Sequence, residues 1–144
     1  MHVAPLRPID RAGWQPLAEG YKHFYNTPTT PAEFDECWRR LLAQDGVYGL
    51  AGFVDGRLVG IAHYLFHTSA WAPENCYLQD LFVAEEARGQ GVAAALIDAV
   101  AQAARERQVA RFYWLTQDTN ARARALYDRV ATYRGFIRYD HPLP

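Results

Sequence analysis

The chain has 144 residues, of which 50% are hydrophobic and 14% aromatic, and its formal net charge at pH 7 is −1. This length predicts a single domain over residues 1–144, and the composition is sufficient to fill its core. A net charge near zero gives no overall field that would attract nucleic acid or an anionic membrane. We therefore expect neither as a partner, and we expect any acidic ligand to be bound by local groups.

Two further features of the sequence favour the cytoplasm. The N-terminal segment from Met1 to Arg7 lacks the apolar core of a signal peptide, and no apolar run approaches the ~18 residues of a membrane span. Cys37 and Cys76 are too few for a disulfide framework and lack the spacing of metal ligands. We interpret both as buried thiols and expect a reducing, cytoplasmic location.

The first third of the chain predicts a strand and two helices. Residues 3–8 form a short strand, and Asp10 is expected to cap a helix. Thr30 and Glu33 form a capping-box pattern around a proline, which predicts a second helix from about Pro31 to Leu42. The apolar stripe of the second helix predicts core packing, and that of the first predicts either core or the wall of a substrate site. These stripes are Phe34, Cys37, Trp38 and Leu41, and Trp14, Leu17, Tyr21, Phe24 and Tyr25.

Two β-rich runs follow, at residues 47–54 and 58–66, and the dipeptide Asp55-Gly56 between them predicts a tight hairpin. Glycines at positions 49, 52 and 60 are expected to weaken these strands slightly. His63 and His67 could suggest a metal site, but four residues of strand separate them by about 13 Å. We therefore predict no metal.

The remaining chain predicts strand, helix, strand, helix and a last strand. A strand ending at Val83 leads through a glycine-containing turn into a long helix that begins near Val92. Residues 111–116 form the next strand, residues 120–130 a helix, and residues 135–139 the last strand. Because a strand-helix-strand crossover makes two strands parallel, this order predicts an α+β fold with a mixed, mostly antiparallel sheet and a central parallel pair flanked by helices.

The turn before the long helix has the chemistry of a phosphate site. Its residues are Arg88, Gly89, Gln90 and Gly91. Glycines allow consecutive backbone N–H groups to point into one concavity, while the helix N-terminus and the arginine add positive charge. An ordinary strand-to-helix turn is the alternative interpretation. A dinucleotide-binding fold is excluded because five residues separate Val83 from Gly89 and only about fifty residues follow the turn.

The pattern Arg88-x-x-Gly91-x-Ala93 resembles the signature of the GNAT N-acetyltransferases, and the preceding Tyr77-Leu78-Gln79-Asp80-Leu81-Phe82-Val83 is similar to the strand before it in that family. The resemblance extends to Tyr113-Trp114-Leu115-Thr116, Asn120, Leu126-Tyr127 and Gly135-Phe136. It implies acetyl-CoA as co-substrate, with its pyrophosphate on the glycine turn and its pantetheine arm between the splayed parallel strands. The cofactor-binding residues implied are Leu81, Phe82, Val83, Arg88, Gly89, Gln90, Gly91, Val92, Ala93 and Asn120.

The resemblance also implies a catalytic acid. Tyr127 lies seven residues after Asn120, so both side chains can project from one face of a helix. In the family, a tyrosine in this arrangement protonates the departing thiolate and the asparagine contacts the cofactor arm. A core tyrosine with a satisfied hydroxyl is the alternative for Tyr127, and Tyr133 is the fallback acid.

A general base is harder to identify. Polyamine acetyltransferases resemble Tyr77 to Asp80 but carry a glutamate where this chain has Gln79. Asp80 remains as the catalytic candidate, although strand alternation would turn it to the face opposite Gln79. A structural carboxylate at Asp80, or deprotonation through water with no single base, is equally compatible with the sequence.

Arginines cluster in the C-terminal half and could suggest nucleic acid, but without net positive charge we interpret them as a solvated face. Arg122 or Arg124 is also a candidate for contacting the 3′-phosphate of the cofactor. The full cluster is Arg105, Arg107, Arg111, Arg122, Arg124 and Arg129.

Two functions follow as hypotheses. The first is acetyl-CoA-dependent transfer of an acetyl group to a primary amine of a small molecule, peptide or protein by direct attack, with N–H groups of Leu81 to Val83 polarising the carbonyl. The second is a non-catalytic acyl-CoA-binding sensor. The acceptor stays open, because Tyr113 to Tyr127 resemble a fungal branch acting on histones or D-amino acids, whereas Tyr77 to Val83 resemble polyamine enzymes. An aromatic last strand would be an exposed edge, so we expect a homodimer.

Overall fold

A five-stranded sheet with its strands in sequence order organises the chain in the computed structural model, which describes residues 1–144. The strands are β1 (His2–Pro5), β2 (Val47–Val54), β3 (Arg57–Thr68), β4 (Glu74–Val83) and β5 (Phe112–Trp114). Neighbouring strands are antiparallel except β4 and β5, which are parallel. The predicted fold class, a mostly antiparallel sheet with one parallel pair, is confirmed.

Four helices cover the two faces of the sheet: α1 (Arg11–Phe24), α2 (Pro31–Ala43), α3 (Val92–Glu106) and α4 (Ala121–Val130). Helices α1 and α2 bury a cluster on one face that includes Trp14, Phe34 and Trp38. Helix α3 buries the larger cluster on the other face, centred on Leu96 and Val100. Helix α4 packs Leu126 and Tyr127 against the edge of that second cluster. None of the helices combines the length and the hydrophobicity that crossing a membrane requires.

Local signals in the sequence determine several element boundaries. Asp55 and Gly56 both adopt positive φ, 49° and 77°, as a two-residue type I′ hairpin requires. The hydroxyl of Thr30 accepts the backbone N–H of Glu33 and caps α2. The expected cap at Asp10 is wrong. A short 3₁₀ turn precedes α1, and the Asp10 carboxylate accepts the backbone N–H of Arg7 at 2.8 Å instead.

The parallel strands β4 and β5 separate soon after they meet. Their register covers only three positions, Cys76 to Leu78 against Phe112 to Trp114. Beyond Leu78, β4 continues to Val83 with no neighbour on that edge. The backbone of β4 therefore has an open edge that lies between α3 and α4.

A β-bulge interrupts β4 just before this opening. His63 of β3 pairs with Asp80 and Tyr64 pairs with Leu78, so Gln79 has no partner of its own. The extra residue shifts the alternation of side chains by one position. Leu81 consequently packs on the α3 face, and Asp80 turns towards α1 and α2. The expectation that Asp80 and Gln79 lie on opposite faces is wrong, since the Gln79 amide reaches the Asp80 carboxylate at 3.5 Å.

The predicted last strand at residues 135–139 is also wrong. Residues 131–144 contain no helix or strand, and Phe136, Ile137 and Tyr139 are 83%, 71% and 86% exposed. A strand needs a neighbouring edge for its backbone hydrogen bonds, and the free outer edge of β5 is only three residues long. The homodimer inferred from this strand stays a prediction.

Candidate active site

A cavity of about 580 Å³ opens where β4 and β5 separate, between the C-terminal half of α1 and the helices α3 and α4. It is lined by every predicted cofactor-binding residue except Gln90, and by the predicted acid Tyr127. Asp80 does not line it. The second half of α1 contributes Tyr21, Phe24 and Tyr25, so the apolar stripe of α1 is core at its start and cavity wall at its end.

One end of the cavity is a row of backbone donors. Gly89 and Gly91 both adopt positive φ, 81° and 83°, which turns the chain sharply into α3. The first hydrogen bond of the helix runs from Ala95 N–H to the carbonyl of Gly91 at 3.0 Å. The N–H groups of Gly89, Gln90 and Gly91 donate to nothing within the protein. Together with the positive end of the helix dipole, these donors form a site for an anion such as a pyrophosphate.

Three arginines, Arg88, Arg122 and Arg129, line the cavity and add positive charge to it. Arg88 is anchored by a hydrogen bond from its Nε to the carbonyl of Val83 at 3.1 Å. Arg122 and Arg129 have different backgrounds in the sequence analysis. Arg122 is a predicted phosphate contact, whereas Arg129 is predicted to lie on a solvated face and instead lines the cavity. Arg124 does not line it. Its guanidinium donates to the carbonyl of Asp118, which leaves Arg122 as the candidate for a further phosphate.

The open edge of β4 offers backbone donors to the middle of the cavity. Ala84 N–H bonds to the carbonyl of Val59 on β3 at 2.8 Å. Because N–H groups alternate in direction along a strand, Phe82 N–H also points to β3, whereas those of Leu81 and Val83 point to the open edge. Two of the three expected amides can therefore meet a carbonyl oxygen in the cavity.

Tyr127 lies at the far end of the cavity. Its ring packs edge-on against Trp114 at 5.4 Å, and its hydroxyl forms no hydrogen bond within the protein. Burial, and to a lesser extent the nearby Tyr25, raise the pKa of Tyr127 to about 12, so the hydroxyl keeps its proton at neutral pH. The fallback acid Tyr133 is 66% exposed, outside the cavity, so that alternative is not supported.

Asn120 begins α4 and lines the same cavity as Tyr127, as their spacing predicts. Its side-chain amide donates to the hydroxyl of Thr116 at 3.3 Å. This bond orients the carbonyl oxygen of the amide, which is free to accept a hydrogen bond from an amide N–H of a bound ligand.

Asp80 lies behind the wall of the cavity and accepts a hydrogen bond from His63 Nδ1 at 2.9 Å. Burial acts to raise the pKa of Asp80, but its hydrogen bond and electrostatic interaction with His63, together with Tyr21 and Lys22, outweigh burial and hold the pKa below its ordinary value. The carboxylate is therefore ionised at neutral pH. Sequence reasoning considered His63 only as a metal ligand, and it missed this pair because the bulge at Gln79 leaves no sequence signal.

The remaining histidine of β3 has a separate partner. His67 lies 2.9 Å from the hydroxyl of Tyr113 on β5, and Tyr113 in turn stacks on Tyr77. No three His, Cys, Asp or Glu side chains come close enough together to hold a metal ion. Of the two thiols, Cys76 is buried and Cys37 is half-buried.

The comparisons with known proteins agree with this geometry. A family model described as the Acetyltransferase (GNAT) family matches residues 14–133. The chain belongs to the GNAT acetyltransferase family. The chain is similar to the D-amino-acid N-acetyltransferase of Saccharomyces cerevisiae, with 34% identity over 90% of this chain and 83% of that protein. The thialysine N-epsilon-acetyltransferase of Sus scrofa is 37% identical over 49% of this chain and 41% of its own length.

Among solved structures, a probable acetyltransferase superimposes on this GNAT protein with a TM-score of 0.87 and 25% identity, over 100% of this chain and 99% of that chain. The predicted family is confirmed, and so is the prediction that the chain is an enzyme of the acetyltransferase class. The coverage of the thialysine enzyme is below two thirds, so that enzyme supports the family and not a shared substrate.

Proposed function

We propose that this GNAT protein is an acetyl-CoA-dependent N-acetyltransferase that acetylates the primary amine of a small molecule by direct attack. One observation carries the proposal. A single cavity joins the anion-binding row at Gly89 to Gly91, the open edge of β4 and the hydroxyl of Tyr127. A binding module would need only the first of these features.

The residues present fit acetyl-CoA, which supplies a thioester whose acyl carbon is open to attack. The N–H row and Arg88 would hold the pyrophosphate, because the backbone N–H groups are unpaired and the guanidinium is positively charged. A Cβ atom on Gly89 would meet no atom within 4 Å, so the space in front of the turn is open to a ligand. Arg122 would hold a further phosphate, and Asn120 would bond to the amide-containing arm.

Groups of this chain can meet each requirement of the acetyl transfer. The N–H groups of Leu81 and Val83 stabilise negative charge on a carbonyl oxygen, as donors fixed in an oxyanion site do. Tyr127 holds a proton at neutral pH and can donate it to a leaving sulfur. The aromatic wall formed by Tyr21 and Tyr25 is the part of the cavity left for the acceptor amine.

The acceptor is proposed to be the amine of a small molecule, since the relative that matches this chain over most of its own length is named for D-amino acids. The experiment offers acetyl-CoA and a panel of primary amines to the protein: D- and L-amino acids, lysine analogues, polyamines, aminoglycosides and short peptides. Release of free thiol that depends on one class of amine is the expected result. Tight acetyl-CoA binding in calorimetry with no thiol release from any amine would instead support the non-catalytic sensor.

A further inference from the structure

A chain of three buried polar side chains runs beneath the acceptor end of the cavity. Trp14 Nε1 of α1 lies 3.0 Å from His63 Nε2 of β3, and His63 Nδ1 lies 2.9 Å from Asp80 Oδ2 of β4. Trp14 is fully buried, His63 is 7% exposed and the Asp80 side chain is 15% exposed. Groups buried to this extent have few alternative partners, so each side chain depends on the hydrogen bonds of this chain.

The direction of each bond follows from the chemistry of Trp14. An indole N–H can only donate, so His63 Nε2 must accept and therefore carries no proton. The ring proton then lies on Nδ1, which donates to the Asp80 carboxylate. A doubly protonated ring would set its Nε2–H against the indole N–H, so the packing favours the neutral ring. Asp80 is thereby bound by a neutral donor and keeps its full negative charge.

The hydroxyl of Tyr21 connects this chain to the cavity. Tyr21 lines the cavity wall, its hydroxyl lies 3.5 Å from the carbonyl of Gln79, and burial, together with the adjacent Asp80 carboxylate, raises the pKa of this hydroxyl. Both of these partners are acceptors, so the Tyr21 O–H points away from the cavity and its oxygen lone pairs are left for a donor inside it. No Asp or Glu lines the cavity, and Asp80 is the carboxylate that follows Gln79 directly behind Tyr21.

We propose that Trp14, His63 and Asp80 form a directional hydrogen-bond chain that holds the Tyr21 hydroxyl as an acceptor for the N–H of the substrate amine. In this chain His63 is a positioning residue. The charge on Asp80 stabilises the positive charge that develops on nitrogen as a neutral amine attacks a carbonyl. This inference rests on the proposed function, and it specifies the acceptor end as a site for an N–H donor that becomes cationic during attack.

A carboxylate in this position is suited to holding charge and not to removing a proton. Its lowered pKa keeps it ionised at neutral pH but makes it a weak base towards an amine. The titratable groups that face Asp80 come from every element packed around it: Tyr21, Lys22 and Tyr25 of α1, Cys37 of α2, His63 of β3 and Tyr77 of β4.

Two matched variants of His63 separate its two hydrogen bonds. His63→Asn places an amide near the Nδ1 position and can still donate to Asp80, whereas His63→Gln places its amide near Nε2 and serves Trp14 only. A direct NMR measurement needs no activity. In the wild type, the ¹⁵N spectrum is expected to show the Nδ1–H tautomer at pH 7, and the Asp80 carboxyl should titrate below its ordinary pKa in the wild type and His63→Asn but higher in His63→Gln.

Kinetics provide the second readout, with the amine found by the acceptor screen. His63→Gln is expected to lower kcat/KM for the amine by about tenfold or more and to move its acidic limb to higher pH, because Asp80 then protonates more easily. His63→Asn should retain most of the activity, and both variants should bind acetyl-CoA as the wild type does. Combining His63→Gln with Tyr21→Phe should lower kcat/KM little further than Tyr21→Phe alone does, since both substitutions act through the same hydroxyl.

The outcomes that overturn the inference are distinct from failure of the proposed function. An Nε2–H tautomer or an imidazolium in the wild type at pH 7 contradicts the hydrogen-bond chain directly. A His63→Gln variant with wild-type kcat/KM and an unchanged Asp80 titration contradicts the positioning role. If the wild type acetylates no amine, the proposed function fails, and the NMR measurements still decide whether the chain exists.

Discussion

The Cγ1 atom of Val92 lies 2.8 Å from the position that a Cβ atom would occupy on Gly60. Gly52, which pairs with Gly60 across β2 and β3, would place a Cβ 2.9 Å from the same atom. Val92 is the first residue of α3, so the helix begins in direct contact with the bare backbone of two strands. The glycines that sequence analysis treated as weak points in the strands are what allow the anion-binding turn to approach the sheet.

Gly60→Ala is therefore expected to displace the start of α3. Overpacking of this kind costs about 1–3 kcal/mol of stability, and the displaced turn should bind acetyl-CoA about tenfold more weakly. Urea unfolding and calorimetry measure the two effects. Gly13→Ala is the matched control, because its Cβ would meet Leu58 at 3.1 Å on the opposite face of the sheet. Equal acetyl-CoA affinity in both variants would show that α3 does not depend on Gly60.

Gly91→Val tests the anion site itself. The residue has φ of +83°, which a β-branched side chain rarely adopts, and a side chain there would also project towards the bound phosphates. We expect acetyl-CoA binding to be abolished in calorimetry. Gly46→Val provides the control, since Gly46 has φ of +79° with no atom near its missing side chain and lies outside the cavity.

Both glycine variants should lose about 1–3 kcal/mol of stability from backbone strain, and only the Gly91 variant should lose the ligand. A folded Gly91→Val protein with wild-type affinity would rule out this turn as the pyrophosphate site.

The exposed C-terminal segment predicts self-association. Phe136, Ile137, Tyr139 and Leu143 are each more than two-thirds exposed, an apolar surface that is unusual for a monomer. We expect light scattering to give the mass of a homodimer, and the double variant Phe136→Ser/Ile137→Ser to give that of a monomer. Trp71→Ser removes an equally exposed aromatic residue from a different loop and should leave the mass unchanged. A wild-type monomer at high concentration would count against the dimer.

Features encoded by a few adjacent residues could be predicted from the sequence. The hairpin at Asp55-Gly56 and the start of α2 at Thr30 each depend on local backbone preferences that one dipeptide or one cap decides. The turn at Gly89 to Gly91 is of the same kind. The family signature then indicated that Asn120 and Tyr127 would share a cavity with that turn, although they lie on a different helix.

Features that depend on distant parts of the chain could not be predicted. The bulge at Gln79 changes the face of Asp80, and a bulge is set by the pairing of two strands and not by residue type. The contact of Val92 with Gly60 joins elements that are 32 positions apart. The last strand was predicted from an apolar run, but a strand also needs a partner edge of sufficient length, and the outer edge of β5 has only three residues.

The substitution Tyr127→Phe separates an enzyme from a binding protein. The variant keeps the ring that packs on Trp114 and removes only the hydroxyl proton. Acetyl-CoA affinity and melting temperature should therefore barely change, while turnover falls by about 10²- to 10⁴-fold, or roughly 3–5 kcal/mol in the barrier. Because its pKa is about 12, Tyr127 stays protonated up to about pH 10, and we expect no loss of turnover from this group below that pH.

Tyr64→Phe is the matched control for this substitution. Tyr64 is 8% exposed in the core under α3 and does not line the cavity, so removing its hydroxyl should cost about 1 kcal/mol of stability at most and leave turnover intact.

The most direct test of the central claim is the rate of free thiol release at saturating acetyl-CoA and amine, measured side by side for the wild type, Tyr127→Phe and Tyr64→Phe. Acetyl transfer with Tyr127 as the acid predicts rapid, amine-dependent release by the wild type and Tyr64→Phe, and release at least about 100-fold slower by Tyr127→Phe. Full turnover by a folded Tyr127→Phe protein would contradict the role of Tyr127 in the transfer.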